Sequence, residues 1–325
     1  MTALTIEARA EVWPLREAFV ISRGARTAAE VVVVEVSDGE HKGRGEAVPY
    51  TRYGESVTGV LEDIRALTGR VSTRADLAQH LKPGAALNAL DCAFWDLESK
   101  RTGKRVVELA GLTPPTSKVT AYTISLDAPE TMADKAARVP SHSLLKLKLG
   151  GAGDEARMRA VRAARPDARL LVDANEAWTI ETVQHLVSVA AECGIELIEQ
   201  PLPAGNDEAL RHIERAVPIC ADESVHTAAD IPRLVGSYDA VNVKLDKAGG
   251  LTGAISLVRA AQRQNFKIMI GSMVATSLAV APAMLLAPEA NWIDLDGPLL
   301  LAHDREFGMR VENGIMYPPV PELWG

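Results

Sequence analysis

Cysteine is scarce in this chain of 325 residues, and runs of basic residues are missing. The three cysteines, Cys92, Cys193 and Cys220, are far apart and odd in number, with no CxxC spacing. This pattern indicates small buried side chains in a reducing compartment. The formal net charge is −8. We therefore expect no nucleic-acid partner, because phosphate binding needs a basic face.

Long hydrophobic runs are missing as well. No stretch reaches the roughly 20 apolar residues of a membrane span, and the first residues, MTALTIEARAEVWPL, lack the continuous apolar core of a signal peptide. We expect a cytoplasmic protein with no membrane partner. The seven histidines form no HxH or HxxxH pair, so most are expected at the surface. The composition, 47% hydrophobic and 24% charged, fits one large domain or two ordinary ones, with a homo-oligomer left open.

The first 115 residues combine strands with helices. The segment AAEVVVVEVSDGEHKGRGEAVPY predicts a strand, a turn at Asp38 and Gly39, and a second strand that ends in a loop. The segment ALNALDCAFWDLESKRTG predicts a helix with a stop at Gly103. An α+β unit over residues 1–115 follows, with GLTPPTSK as the linker.

Short apolar strands alternate with amphipathic helices after the linker. The predicted strand cores are VTAYTIS, LLKLKLG, ARLLVDAN, IELIEQP, PICADES, AVNVKLD, KIMIGSM and NWIDLDG. Eight strands separated by helices in about 180 residues predict a closed parallel barrel over residues 116–299. Residues 300–325 form a proline-rich, loop-like tail.

Polar residues recur at or near the carboxyl end of every predicted strand, where barrels of this class build their active sites. They lie 22 to 28 residues apart, about one strand plus one helix, at Thr123, Lys148, Asp173, Glu199, Asp222, Lys244, Ser272 and Asp294. A polar residue at one strand end often only faces solvent. Acidic or lysine residues in five consecutive units instead predict convergence on one mouth.

Three of these residues, Asp173, Glu199 and Asp222, are acids from adjacent strands. Converging carboxylates repel one another unless a cation sits among them, and all-oxygen ligands favour Mg²⁺ over zinc. Glu223 is an alternative to Asp222, because strand alternation lets only one of them point inward. Asn175 shares the inward face of Asp173 and is a candidate donor to a ligand or substrate oxygen.

The lysines of SLLKLKLGG have two interpretations. Taken alone, Lys146 and Lys148 suit the solvated face of an ordinary strand. In a parallel barrel the helices cover the outer face, so both lysines point inward, with Lys244 on the other side of the acids. A neutral lysine is a capable base only when burial or a neighbouring cation lowers its pKa, and Lys146 is such a neighbour for Lys148. Bases on two faces of a metal-bound carboxylate suit removal and return of its α-proton.

The whole chain resembles the muconate-lactonizing subgroup of the enolase superfamily. The matching motifs are KxK at 146–148, DAN at 173–175, EQP at 199–201, ADES at 221–224 and NVKLDKAGGLT from residue 242. The resemblance implies an enolase-like fold: a modified TIM barrel, (β/α)7β, with an N-terminal α+β capping domain to which residues 300–325 return. It also implies that Asp173, Glu199 and Asp222 bind Mg²⁺, that Lys148 and Lys244 are the acid/base pair, and that Lys146 supports Lys148.

Within the subgroup, RYGES at 52–56, NVKLDKAGG and DLDGP at 294–298 resemble the bacterial L-Ala-D/L-Glu epimerases. In that group the aspartates of DLDGP bind the α-ammonium group of the dipeptide, which implies this role for Asp294 and Asp296. Capping of the following turn is the alternative. The group also places a cation of the first cap loop on the substrate side chain; Arg23 and Arg26 both qualify. Tyr53, with Tyr50 and Arg52, is expected to line the second loop, although its aromatic residues could instead pack the cap against the barrel. Lys146, Thr123 and Ser272 are expected to contact substrate.

The expected function is that of an isomerase. The resemblance implies a Mg²⁺-dependent dipeptide epimerase that transfers a proton at the α-carbon of the C-terminal residue of L-Ala-D/L-Glu, through a metal-stabilised enediolate, in murein peptide metabolism. The alternative is a lyase or cycloisomerase of the same subgroup, of the muconate cycloisomerase or o-succinylbenzoate synthase type. Such a substrate has no ammonium group and leaves Asp294 and Asp296 without a role.

Overall fold

The computed structural model, which describes residues 4–325, begins with a long antiparallel hairpin. Its strands β1 and β2 meet at a turn containing Ser22 and Arg23, and β3 pairs with β2 on the other side. The three strands are β1 Thr5–Ile21, β2 Gly24–Ser37 and β3 Lys42–Ala47. The sequence predicted β2 and β3 but not β1, which is largely exposed and lacks a continuous apolar run.

The valine run of β2 is buried on both faces because two different cores cover it. Val31 and Val33 belong to the main core shared with the barrel, whereas Val32, Val34 and Val36 face the helices of the cap. Those helices are α1 Val57–Arg65, α2 Arg74–Leu77 and α3 Ala85–Thr102, whereas the fourth cap helix, α4 Val106–Leu109, packs on the main core. The predicted helix and its stop at Gly103 are confirmed in α3.

Helix α3 lies directly on β3. A Cβ atom added to Gly43 would lie 2.1 Å from the carbonyl oxygen of Ala93, and one added to Gly45 would lie 2.0 Å from that of Ala89. Only glycine allows this approach. The contact fixes the end of β3, from which the second cap loop leaves.

Eight parallel strands form the barrel, and each pairs with its neighbour in chain order. They are β5 Tyr122–Ile124, β6 Leu144–Lys148, β7 Arg169–Asp173, β8 Ile195–Glu199, β9 Ile219–Ala221, β10 Ala240–Lys244, β11 Lys267–Gly271 and β12 Trp292–Asp294, preceded by the short β4 Lys118–Val119. A parallel bridge between Thr120 and Ile293 joins the first strand region to the last. The predicted modified TIM barrel is confirmed.

Helices connect the strands on the outside. They are α5 Pro129–Ala137, α6 Asp154–Ala164, α7 Ile180–Glu192, α8 Ile231–Leu234, α9 Leu245–Ala248, α10 Leu251–Arg263 and α11 Ser277–Met284. Between β8 and β9 the helical segment is a 3₁₀ turn, Asp207–His212. In residues 4–325 no helix has the length and apolar character needed to cross a membrane.

The two faces of β6 show how the barrel uses alternation. Leu145, Leu147 and Leu149 are buried in the main core, while Lys146 and Lys148 are buried inside the barrel. Below the lysines, an apolar layer fills the far end of the barrel; we call it the barrel floor. Its members are Ala121, Leu144, Leu171, Leu197, Cys220, Ala240, Met269 and Trp292.

The tail beyond β12 contains more regular structure than its sequence predicted. Helix α12 Gly297–Leu300 is followed by a hairpin of β13 Val311–Glu312 and β14 Ile315–Met316, which pairs with β4. The last residues contact the cap: the Trp324 Nε1 donates to the carbonyl of Cys92 at 3.1 Å, and the Gly325 amide donates to Asp96 Oδ1 at 2.9 Å.

Candidate active site

The polar residues predicted at the strand ends lie where the spacing placed them. Asp222 and Ser272 directly follow β9 and β11, and Thr123 lies within β5. The other five are each the last residue of a strand: Lys148, Asp173, Glu199, Lys244 and Asp294. Parallel strands in a closed ring bring all eight to one mouth.

Asp173, Glu199 and Asp222 form a buried triad. Their side chains are almost fully inaccessible, and one oxygen from each lies within 4.8 Å of the others. Three carboxylates at this spacing and burial need positive charge among them. The donor set consists only of carboxylate oxygens, so the triad fits a hard divalent cation. Glu223, the alternative to Asp222, lies outside the triad.

One oxygen of each acid accepts a hydrogen bond from a fixed neighbouring donor. The pairs are Asn175 N with Asp173 Oδ1 at 2.9 Å, Asn242 Nδ2 with Glu199 Oε1 at 2.7 Å, and Lys247 Nζ with Asp222 Oδ1 at 2.5 Å. Asn242 and Lys247 were not among the predicted site residues. Alternation could have revealed Asn242, which lies two residues before Lys244. The sequence suggested Lys247 only as a possible cation beside Lys244, not as a donor to Asp222.

The second oxygen of each acid faces a lysine. Lys148 Nζ lies 2.6 Å from Asp173 Oδ2, and Lys244 Nζ lies 2.7 Å from Asp222 Oδ2. Lys146 Nζ lies 2.5 Å from Glu199 Oε2 and 3.2 Å from Asp173 Oδ2. Glu199 Oε2 nevertheless receives no hydrogen bond of acceptable geometry, and it is buried. Beside its ion pair with Lys146, this oxygen therefore keeps acceptor capacity for a cation at the triad.

The charges shift the pKa values of the groups involved. Burial lowers the pKa of Lys244, but the carboxylates of Asp222 and Glu199 outweigh burial and raise it well above its usual value. Burial and the neighbouring Asp173 raise the pKa of Glu199 to about 7. Lys244 can act as a base only when other positive charge engages the acids that hold its proton.

Lys148 and Lys244 stand on opposite sides of the triad. They end β6 and β10, which are four places apart in a ring of eight strands. Both line a cavity of about 410 Å³ between barrel and cap, together with Asn175, Asp222 and Ser272. A group bound at the triad is thus exposed to a lysine on each face.

The first cap loop sends Arg23 into this cavity. Its Nη2 lies 2.7 Å from Glu223 Oε1, and its Nη1 lies 3.1 Å from Glu176 Oε2. Arg26 also lines the cavity but lies over the ring of Tyr50, 5.2 Å from the centroid. Of the two arginines left open by the sequence, Arg23 is the one tied to the barrel.

The second cap loop contributes Tyr53. Its ring packs edge-on against His226, with 4.6 Å between centroids, and it lines the cavity. Burial raises the pKa of the Tyr53 hydroxyl and lowers that of His226. The sequence gave no reason to single out His226, because it lies outside the periodic series of strand ends.

Six predicted residues lie beside the main cavity, not on its lining: Asp173 and Glu199 of the triad, and Lys146, Thr123, Asp294 and Asp296. Lys146 Nζ contacts Asp294 Oδ2 at 2.7 Å, while Asp294 Oδ1 is buried without a partner. Asp296 Oδ2 accepts a hydrogen bond from the Thr123 amide at 2.6 Å. Thr123 lines a smaller cavity of about 180 Å³, separated from the main one by Phe19, which lines both.

The two aspartates keep acceptor capacity for a ligand. Asp296 occupies the N-cap position of α12, but its side chain makes no capping hydrogen bond, so the turn-capping alternative is wrong for this residue. Burial and the nearby Asp294 raise the pKa of Asp296 to about 7.

Comparison with known proteins agrees with this architecture. The family model for the mandelate racemase / muconate lactonizing enzyme N-terminal domain matches residues 3–111, and the enolase C-terminal domain-like model matches residues 131–322. The L-Ala-D/L-Glu epimerase of Escherichia coli K12 is 43% identical over 96% of this chain and 99% of its own length. An N-acetyl-D-glutamate racemase of a Pseudoalteromonas species is 45% identical over 91% and 95%.

Two solved structures are similar over nearly the whole chain. An enolase family member from Agrobacterium tumefaciens, with bound sodium, L-Ala-L-Glu and an ordered loop, has a TM-score of 0.97 and 52% identity, covering 99% of this chain and 100% of its own. A dipeptide epimerase from Enterococcus faecalis V583, complexed with Mg and L-Leu-L-Tyr, has a TM-score of 0.91 and 28% identity, covering 98% and 97%. The chain belongs to the mandelate racemase and muconate lactonizing enzyme family of enolase-like proteins.

Proposed function

We propose that this protein is an isomerase, a Mg²⁺-dependent dipeptide epimerase that acts on L-Ala-D/L-Glu. The observation that carries the proposal is the placement of Lys148 and Lys244 on opposite sides of the carboxylate triad. The E. coli and A. tumefaciens relatives support the dipeptide, and the E. faecalis complex supports Mg²⁺. Since L-Ala-D-Glu is a murein fragment, we also propose a role in murein peptide metabolism.

The reaction needs a base on one face of the α-carbon and an acid on the other. Asp173, Glu199 and Asp222 would hold Mg²⁺, whose charge would offset the negative charge that develops on the substrate α-carboxylate. Lys148 takes the α-proton from one face while Lys244 delivers a proton to the opposite face, and the roles exchange for the other epimer. Asn242, Lys247 and the Asn175 amide keep the triad oxygens in place.

The ends of the substrate set its position. The α-ammonium group pairs with Asp294 and Asp296, whose free acceptor capacity suits a cation. The side-chain carboxylate of the C-terminal residue pairs with the Nη2 edge of Arg23, replacing Glu223. Fixing both ends places the α-carbon between Lys148 and Lys244.

Racemisation of an N-acylated glutamate is a second candidate. L-Ala-Glu is itself an N-acyl glutamate, so an N-acetylated substrate would satisfy Arg23 and the triad equally well, and the Pseudoalteromonas relative carries the name of such an enzyme. It would leave Asp296 and the unpartnered Oδ1 of Asp294 without a cation from the substrate. The aspartate pair favours the dipeptide, and it disfavours a lyase or cycloisomerase for the same reason.

The test is proton exchange in D₂O. Wild-type protein with Mg²⁺ should exchange the α-proton of the C-terminal residue of L-Ala-L-Glu and invert the configuration of that α-carbon. Chelation of the metal should abolish both exchange and inversion. Lys148→Ala and Lys244→Ala should each lose inversion, while each retains exchange of the one epimer that faces its remaining lysine. Inversion that survives in both variants would refute the two-base assignment. Faster turnover of N-acetyl-L-Glu than of the dipeptide would favour the second candidate.

A further inference from the structure

Glu176 joins both cap loops to the barrel, and the reaction proposed above gives it no role. It lies on the loop after β7, and its side chain is only 9% exposed. Oε2 contacts Arg23 of the first loop at 3.1 Å. The same carboxylate accepts two hydrogen bonds from Arg52 of the second loop, Nε to Oε2 at 3.0 Å and Nη2 to Oε1 at 2.9 Å. Two loops that are separate in sequence therefore share one carboxylate.

The loop that carries Glu176 is a rigid platform. Asn175 and Glu176 both adopt left-handed backbone conformations, with φ of 44° and 69°, which L-residues rarely adopt and which concentrate at functional sites. The Glu176 amide donates to Gln200 O at 2.9 Å, and the next turn is anchored by Trp178, whose Nε1 donates to Asp154 Oδ2 at 2.8 Å. The backbone strain is thus held by the surrounding structure.

Arg23 uses its two edges differently. Nη1 is held by barrel groups that a substrate has no reason to displace, the carbonyl of Asn175 at 2.9 Å and Glu176 at 3.1 Å. Nη2 points to Glu223 at 2.7 Å and to the Tyr50 hydroxyl at 3.3 Å, on the cavity side. One edge is fixed, and the other is free to exchange partners.

We propose that Glu176 is a positioning residue that latches both cap loops onto the barrel mouth and aims the Nη2 edge of Arg23 at an acidic substrate side chain. The latch itself follows from the contacts, whereas its effect on selectivity rests on the function proposed above. The Arg52 side chain makes no other ion pair or hydrogen bond in residues 4–325. Of the two loops, the second therefore depends more on Glu176. Arg23 keeps Glu223, so the first loop depends on it less.

Limited trypsin digestion tests the latch without any substrate, because both loops contain arginine. Glu176→Gln keeps the size of the side chain and an acceptor for the Ala204 amide, which Glu176 Oε1 binds at 2.8 Å. Cleavage after Arg52 should become about tenfold faster than in wild type, with a smaller rise after Arg23. In Arg52→Gln, the rate of trypsin cleavage after Arg23 should be the same as in wild type, because the first loop keeps its own contacts with Glu176.

The matched control is Glu192→Gln, which removes an exposed Glu–Arg pair with Arg159 on the barrel helices. It should change neither cleavage rate. An unchanged rate after Arg52 in Glu176→Gln, or an equal rise in the control, would overturn the latch.

Steady-state kinetics test the selectivity. In Glu176→Gln the KM for L-Ala-L-Glu should rise about tenfold with kcat within about twofold, while KM for L-Ala-L-Leu changes little. Equal effects on both dipeptides, or a loss confined to kcat, would overturn the positioning role. If wild-type protein turned over no dipeptide, the function proposed above would fail, and the digestion result would still decide the latch.

Discussion

The prediction that the triad binds Mg²⁺ can be tested at one neutral side chain, that of Asn242. It is fully buried, and its amide is the donor to Glu199 Oε1 at 2.7 Å. Asn242→Leu would leave that oxygen buried without a donor, so we expect Mg²⁺ affinity to fall about 10- to 100-fold, as is typical when a residue that orients a ligand is lost. Titration calorimetry on metal-free protein gives the affinity.

A second substitution, at Gly271 on the neighbouring strand, should displace the side-chain amide of Asn242 without replacing it. A Cβ on Gly271 would lie 2.5 Å from Asn242 Oδ1, so Gly271→Ala should push the amide away and weaken Mg²⁺ binding too. Asn291→Leu is the control. Asn291 accepts from the Ile268 amide at the start of β11, away from the triad, and its loss should lower stability but not metal affinity. Normal Mg²⁺ affinity in both Asn242→Leu and Gly271→Ala would contradict the prediction.

Asp296 gives the site a pH dependence near neutrality. Its pKa is raised to about 7, chiefly by burial and then by Asp294, and only the ionised form pairs with an ammonium group. The KM for L-Ala-L-Glu should therefore fall as pH rises through about 7. The inhibition constant of N-acetyl-L-Glu, which has no ammonium group, should lack this dependence. A parallel profile for both ligands would assign the titration to another group.

The raised pKa of Asp296 also affects the stability of the protein, which should fall as pH rises, whereas substrate binding should improve. Because the folded protein binds this proton more tightly than the unfolded chain, Asp296 lowers the free energy of unfolding as pH rises from about 4 to about 7. Asp296→Asn should flatten this part of the stability profile, which urea unfolding at several pH values would measure.

At the scale of elements, an ion pair between a buried Glu46 and a half-buried Arg305 fastens the cap to the barrel. Arg305, in the tail after α12, donates to Glu46 Oε2 at the end of β3 at 2.6 Å. Glu46 also accepts from the amide of Thr276, at the N-terminus of α11, at 2.9 Å. Glu46 is completely buried, and burial raises its pKa despite these partners. The pair therefore joins cap strand, barrel helix and tail.

Removing Arg305 should be costly. Arg305→Met leaves Glu46 as a buried charge without its cation, and such losses typically destabilise a protein by about 3–5 kcal/mol. Arg310→Met is the matched control, because the Arg310–Glu312 pair is more than half exposed and should contribute about 0–1 kcal/mol. Denaturant unfolding of both variants measures the difference, and similar losses would show that Glu46 finds another partner.

Prediction from sequence succeeded where periodicity determines geometry. The alternation of SLLKLKLGG and the barrel assignment together predicted that Lys146 and Lys148 point inward, and the regular spacing of the strand ends predicted the triad. Periodicity cannot show contacts made by residues outside the strands. Lys247 reaches Asp222 from the short helix α9, and Glu176 meets Arg52 across 124 residues once the cap sits on the barrel. The tail hairpin was missed because its two-residue strands are too short for a pattern.

At the scale of the whole molecule, the cap and the barrel floor enclose the lysines from two ends. The floor is a continuous apolar layer, from Leu144 on β6 to Trp292 on β12, beneath Lys146. The cavity above the lysines lies against the cap loops, which Glu176 holds. Solvent therefore approaches Lys148 and Lys244 from the loop side.

Because solvent reaches the lysines from the loop side, the rate of hydrogen exchange with solvent should depend on how firmly the cap loops are held. In the proposed mechanism, a hydrogen that Lys148 takes from the substrate can return to the same carbon until it exchanges with solvent from the loop side. In D₂O, the deuterium found in unreacted L-Ala-L-Glu, relative to the amount inverted, should therefore report how often this exchange occurs per inversion. Glu176→Gln should increase that ratio. This isotope ratio would then report how well the cap loops exclude solvent from Lys148 during the reaction, which kcat alone does not reveal.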